Sequence, residues 1–518
     1  MATRTWSKDR ADKRIAGKID ALPLKDVVIK EYVRDTDLTG LANGTAYRVN
    51  GVHVYADILN LNDMLHVTGS EGETCHRRTL RFLNLHYRAV YRILQRTDAI
   101  FVDFHNQRLH SVVAKPYDDE ASRVRRGVAI SQLIIDVLGQ TCDGADHPAA
   151  KVRIGIDTGK ALAVNNGRRG HREPLFLGEP ANHAAKRAMG GDRTGIYLTN
   201  NARKMIGLST VPNEDSTALS KEEIATCQEK AKLGVSVAEI VKEWKDDLSN
   251  LPIGTFEFSA HTPPYKNLDF EALSTKNSRR QDGGSMYADL DGFTKYVSNS
   301  VGTDANAKHV VRVLHVLRSE LDAVLHEDFA GRKVRYIGDC VHGLLVEGTA
   351  YETDSEETVS NLTLCAAAMR SSFKLALEKL KGAGSDATSL GLQIGFDYGP
   401  LTATRLGMKG ELVRCSVSRA ILSSEEQQGL CSGNETAIGA TAFLRASQAV
   451  RDLFGVGRKR SNLDYPTCLD ELAKKNDKTA KAARDFSNSF LKPATAAATS
   501  GLSFPSHRTG PTKPTGFA

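Results

Sequence analysis

Four segments of this 518-residue chain recur once each, in the same order, and that duplication limits the fold more than any other feature. VYADILNLNDML (54–65) returns as MYADLDGFTKYV (286–297), which sets Asp57 opposite Asp289. AIFVDFHNQRLHSVV (99–113) returns as GRKVRYIGDCVHGLL (331–345), and one gapless offset of 232 residues serves both blocks. VRIGIDTGKALAV (152–164) matches LQIGFDYGPLTAT (392–404) through Ile-Gly-x-Asp-x-Gly, and TGIYLTNNARKM (194–205) resembles TAIGATAFLRAS (436–447). The chain therefore holds two copies of one domain.

Each copy has one plan. An alternating apolar strand ends on an aspartate (VHVYAD, GSMYAD). A long segment with helical spacing follows, then a hairpin, a second helix and a strand reading RIGID or QIGFD. That order predicts an α/β fold, an α+β sandwich with a largely antiparallel sheet. The boundaries read as an N-terminal helical arm (1–45), a first domain (46–262), a linker (263–285), a second domain (286–456), and a C-terminal helix (about 467–486) and tail within 457–518. The Pro/Gly/Ser/Thr/Ala-rich tail is expected to be disordered. The charged helical insert near 218–248 is expected to be a solvated feature or an interface.

Composition removes several classes. With 69 basic and 62 acidic side chains the net charge is +7, small for this length; it permits an anionic substrate without requiring nucleic acid. The basic runs RRGHRE (168–173) and GRKR (457–460) lack interleaved aromatics and read as solvated loops. Eight scattered cysteines without a CxxC pair argue against a zinc site or a disulfide framework, and for a reducing cytoplasm. No apolar run approaches the roughly 18 residues of a membrane span, and the N-terminus lacks the apolar core of a signal peptide. A cytoplasmic protein without membrane or nucleic-acid partners is expected.

The chemistry concentrates in the second copy. Asp289 ends a strand and opens the turn DLDGFT, and Asp339 sits in the hairpin turn YIGDC. Two carboxylates in adjacent turns can share hard cations such as Mg²⁺ or Mn²⁺. The Asp291–Gly292–Phe293–Thr294 backbone leads into a helix whose free N–H groups suit a phosphate chain. Either aspartate alone is more simply a helix cap or a turn residue. The pair in a repeated frame points to metal-assisted phosphoryl chemistry.

YADLDGFT, then VRYIGDCVHGLL and QIGFDYGP, resembles the class III nucleotidyl cyclases, the adenylate and guanylate cyclases and their relatives; YADI, RIGIDTG and FLGEPANHAAKRA extend the resemblance to the first copy. It implies two tandem cyclase-like domains forming an intramolecular pseudo-heterodimer, with oligomerisation beyond that pair left open. It further implies a nucleoside triphosphate substrate and two Mn²⁺ or Mg²⁺ ions, with Asp289, Leu290 and Asp339 as the metal set and Gly292, Phe293 and Thr294 at the phosphates. In the first copy the gapless offset puts Gln107 where the second aspartate belongs, and an amide cannot replace that charge.

The family's asparagine and arginine, one helical turn apart, fall on Asn182 and Lys186 as catalytic residues. Lysine keeps the charge but loses the planar fork, and Arg187 could substitute on a rotated helix. In CSVSRAILSSEE the corresponding positions fall on Ser418 and Leu422. One complete site, with a dead mirror image, is expected. For the base, the offset puts Asp103 at the family's hairpin position, and Leu175 falls near the adenine-reading aspartate. A carboxylate accepts from an exocyclic amine or ring N–H and repels adenine N1, which favours CTP, with UTP or guanine open. The tandem layout and LGEPANHAAK resemble bacterial Pycsar antiphage cyclases, implying cyclic CMP or cyclic UMP as messenger and a downstream cyclic-nucleotide effector protein. The competing readings are a guanylate or adenylate cyclase in ordinary signalling and a non-catalytic nucleotide-binding regulator.

Overall fold

The computed structural model describes residues 4–34, 36–144, 147–167, 174–349 and 351–491. The first half runs strand Thr45–Ile58, helix Glu73–Arg96, hairpin Ile100–His105/Arg108–Val113, helix Glu120–Leu138, strand Val152–Asn165, strand Pro174–Leu177, helix Glu179–Met189 and strand Gly195–Leu198. The second half repeats it as Ser278–Asp291, Asp304–Ala323, Arg332–Ile337/Cys340–Leu345, Ser355–Gly382, Gly391–Met408, Glu411–Cys415, Arg419–Gly429 and Glu435–Ile438. In each sheet the hairpin flanks the opening strand, which pairs antiparallel with the long closing strand along its length. The mixed α/β architecture of the two halves is the one the duplication predicts.

Strand alternation gives each sheet two faces. Val52, Val54, Ala56 and Ile58 are buried under the helices of the first half, and Met286, Ala288 and Leu290 under those of the second. The intervening residues, His53, Tyr55 and Asp57 in one strand and Ser285, Tyr287 and Asp289 in the other, lie on the opposite face. There the halves meet: Asp103 pairs with Arg335, His105 with Tyr287, Arg108 with Glu425 and Asn182 with Thr294.

Three expectations need correction. Residues 263–285 are not a free linker: Tyr265, Leu268, Phe270 and Leu273 are buried in a core, and residues from Ser278 onward already belong to the central strand. The insert near 218–248 forms two capped helices, Lys221–Ala231 and Val237–Asn250, docked on their own domain; Trp244 is buried, and Asp247 accepts from Arg88 and Arg92. The C-terminal helix is two, Tyr465–Lys474 and Lys478–Leu491. The arm helix Lys8–Asp20 packs on the second half, where the buried carboxylates of Glu320 and Asp328 receive Arg14 and Trp6 donates to Ser372 Oγ at 2.7 Å. Residues 168–173 and the tail after Leu491 lie outside the described residues. The other basic run contributes a sheet-edge strand, Lys459–Ser461, rather than a loop.

Candidate active site between the two halves

Asp289 lies near the end of the second half's opening strand. The register Val341↔Ala288 carries the neighbouring hairpin strand one residue further, so the Gly338–Asp339 turn closes over Asp289. Both carboxyls are half-buried in this recess. Burial raises the Asp289 carboxyl to about 6, with repulsion from Asp291 and Glu425 adding to it. Burial, with repulsion from Asp289, pushes Asp339 well above the carboxylate range. Neither forms an ion pair among the described residues. Two crowded carboxylates with penalised charge, offering only oxygen, fit a hard divalent cation. Leu290 buries its side chain, so only its backbone carbonyl could join them.

Gly292 adopts φ 77°, a left-handed value that glycine takes without strain, and turns the chain into the helix Phe293–Ser298. Phe293 is anchored in the core, while Thr294 stays half-exposed. Asn182, on the first half's helix Glu179–Met189, donates through Nδ2 to Thr294 Oγ1 at 2.7 Å. Asn182 therefore touches the start of the helix that follows Asp289.

That helix is seated by a close approach: a Cβ on Gly155 would lie 2.0 Å from Ala184 O and 2.7 Å from Arg187 Cβ. Arg187 accordingly faces its own sheet, bound to Glu214 and Asp215 at 2.7 and 3.1 Å, and cannot replace Lys186. Lys186 is exposed one turn beyond Asn182.

A composite pocket opens beside Gly338, lined by Tyr55, Asp103, His110 and Leu175 from the first half and Arg318 and Tyr336 from the second. The expectation that Asp103 reads the base with a free carboxylate needs correction. It is joined to Arg335 at 3.0 Å, and the same Arg335 nitrogen donates to the Phe104 carbonyl. Asp103 and Arg335 are themselves related by the 232-residue offset. Two repeat-related residues that touch mark the pseudo-twofold axis, and opposite charges there replace the repulsion of two identical ones. Arg318 ties the site together by donating to the carbonyls of Gly338 and of Asn165 across the interface. Sequence reasoning missed Arg335 and Arg318; the offset applied to Asp103 would have found the first.

The mirror site holds Asp57, whose carboxyl is raised to about 6 by burial, and the uncharged Gln107. Arg108 enters that site and pairs with Glu425 from the other half. The expected equivalents of Asn182 and Lys186 need correction by one helical turn. Gly155 packs on Ala184 and Ala188 as Gly395 packs on Ser424 and Gln428, so Leu422 answers Asn182 and Glu426 answers Lys186; Ser418 is the helix cap. The nearby insertion, which lengthens the offset to 240, had hidden this register.

A paired-domain cleft with two carboxylates on one wall and an asparagine on the other defines a nucleotide-cyclising class of protein. Residues 276–412 match the adenylate and guanylate cyclase catalytic domain. The chain is 54% identical over 487 residues to a uridylate cyclase of Pseudomonas aeruginosa, spanning 93% of this chain and 94% of that protein. It is 40% identical over 433 residues to a uridylate cyclase of a Rhizobium species, spanning 80% and 82%. A solved class III adenylyl cyclase-like ATP-binding protein from Pseudomonas aeruginosa matches with TM-score 0.88 at 54% identity, over 91% of this chain and 100% of that one. The chain belongs to the class III nucleotidyl cyclase family and is a nucleotidyl cyclase acting on a nucleoside triphosphate. No helix among the described residues is long and apolar enough to cross a membrane.

Proposed function

We propose that this enzyme converts UTP to 3′,5′-cyclic UMP and diphosphate. The observation that carries this reading is the 54% identity, spread over 93% of the chain, to a protein named uridylate cyclase. The expectation of CTP rested on an unengaged Asp103 carboxylate. With Arg335 bound to it, that carboxylate no longer argues for an exocyclic amine, and the similarity to uridylate cyclases gives UTP precedence.

Asp289 and Asp339, with the Leu290 carbonyl, would hold two divalent cations, Mg²⁺ or Mn²⁺. When bound, these supply charge that acidifies the ribose 3′-hydroxyl and offsets the triphosphate. The 3′-oxygen attacks the α-phosphorus, diphosphate leaves, and no protein nucleophile is needed. Asn182 orients the ribose, Lys186 stabilises charge at the α-phosphate, and the Gly292–Thr294 backbone cradles the remaining phosphates. Thr294 exchanges its bond with Asn182 for substrate on binding. The resemblance to antiphage pyrimidine cyclases further supports a cytoplasmic messenger role in bacterial defence, read by a cyclic-nucleotide effector protein.

The test incubates the protein with each of the four ribonucleoside triphosphates and Mn²⁺ and identifies products by mass spectrometry. Cyclic UMP as the main product is expected. Cyclic AMP alone, the product that would follow if this chain shared the ATP binding of its solved neighbour, overturns the base assignment. No cyclic product at all overturns the assignment of activity.

A further inference from the structure

The interface side of the first sheet carries a hydrogen-bonded histidine pair that the reaction described above does not use. His53, on Thr45–Ile58, and His110, on Arg108–Val113, are both buried, and His53 Nδ1 lies 3.1 Å from His110 Nε2. Tyr55 stacks on His110 with ring centroids 3.9 Å apart and planes 15° from parallel, which clamps the imidazole. His110 lines the composite pocket and stands directly opposite Asp103 in the hairpin. With Nε2 committed to His53, Nδ1 is the nitrogen that His110 offers the pocket.

The proton count fixes what that nitrogen presents. Burial pushes His53 down to about 4 and His110 well below the ordinary histidine range, so near pH 7 both rings are neutral and share one proton in their bond. His53 Nε2 is buried and has no hydrogen-bond partner among the described residues. Were His110 the donor, His53 would carry its own hydrogen on that partnerless nitrogen, and a buried orphan N–H is the costlier arrangement. Asp157 faces His53 across the sheet, but its oxygens take Thr158 N, Thr199, Asn201 and His183 instead. The shared proton therefore sits on His53 Nδ1, and His110 carries its hydrogen on Nδ1.

We infer that His110 is a base-contacting specificity residue whose Nδ1–H donates to a pyrimidine carbonyl, and that His53 is a positioning residue that holds it in this tautomer. This rests on the UTP reading above: an N–H donor complements the O4 carbonyl of uracil, where cytosine carries an amine that would oppose it. The repeat-related pair cannot do the same. His342 meets Ser285 Oγ through Nε2 at 3.3 Å, and its Nδ1 is buried without a partner among the described residues, so by the same reasoning its hydrogen sits on Nε2 and Nδ1 offers no donor.

The test has two readouts. Nitrogen-15 NMR of the histidine rings in the free protein, with His110 assigned by its loss in His110→Phe, is expected to show Nδ1 protonated and Nε2 bare; a protonated Nε2 overturns the inference. In steady-state kinetics with UTP, His110→Phe keeps a ring over Tyr55 and is expected to raise KM about tenfold with kcat within about threefold. His53→Phe should mix the His110 tautomers and raise KM about threefold; a His110 ring that stays wholly Nδ1-protonated in His53→Phe overturns the positioning role. UTP turnover with unchanged KM in His110→Phe overturns this inference alone. Wild-type protein that leaves UTP untouched overturns the substrate reading and the base contact with it.

Discussion

The two clefts of this molecule are built on one fold and diverge in charge at positions related by the repeat. On the working side stand Asp339, Cys340, Asn182, Ala185 and Lys186; on the mirror side the same places hold Gln107, Arg108, Leu422, Glu425 and Glu426. The working side presents carboxylates that form no ion pair among the described residues, with the nearby Arg318 bound to backbone carbonyls, and small neutral residues stand beside them. The mirror side carries its own guanidinium, paired with Glu425 across the interface. A tethered side chain thus stands where a diffusible cation and a triphosphate would go, and Glu426 repels phosphate where Lys186 would attract it. The side proposed to be inactive carries an interdomain fastener instead.

The sharpest way to break this comparison is to remove matching aspartates. Asp289→Ala should lower kcat/KM more than a hundredfold, about 3 kcal/mol of barrier. Asp57→Ala should stay within about threefold, and steady-state rates with Mn²⁺ decide; a dead Asp57→Ala would reverse the assignment of the two sides. Next, Asn182→Ala should cost about ten- to a hundredfold, mainly in kcat, because it loosens the ribose. Leu422→Asn alone should restore nothing at the mirror side, which a metal-binding titration would show.

The fastener predicts a stability effect rather than a catalytic one. Arg108→Ala leaves Glu425 partly buried without its partner and should cost about 1–3 kcal/mol in denaturant unfolding, with less loss of kcat than Asn182→Ala. The smallest effect concerns pH. Asp57 has a folded pKa of about 6, above the roughly 4 of an unfolded aspartate. The native state therefore holds the extra proton, and the stability this provides is lost as pH rises from about 4 through 6. Asp57→Asn should stabilise the protein by about 1–2 kcal/mol at pH 7 and by little at pH 4. Melting curves at both values check the sign.

Much of the site was legible because the duplication supplied its own control. Asp289 and Asp339 stood out against Asp57 and Gln107, and Asn182 against a stretch without asparagine. Legibility failed where a residue's role depends on a neighbour distant in sequence. Asp103 reads as a base contact until the fold sets Arg335 beside it, and Arg187 reads as a reserve cation until Gly155 draws its helix face onto the sheet. The linker and the 218–248 insert read as solvated because their apolar residues are sparse. Burial of Phe270 and Trp244 shows that a few large side chains suffice to dock a polar segment.

The sequence by itself determined the repeated unit, the strand ends that carry the aspartates and the asymmetry of the two copies, because these follow from residue order and local periodicity. Only the tertiary structure decided which side chains face one another across the pseudo-twofold axis. It joined Asp103 to Arg335, placed Arg108 against Glu425 and set Asn182 on Thr294. Such contacts depend on how two sheets are apposed, and no local pattern in a chain encodes the distance between residues more than a hundred positions apart.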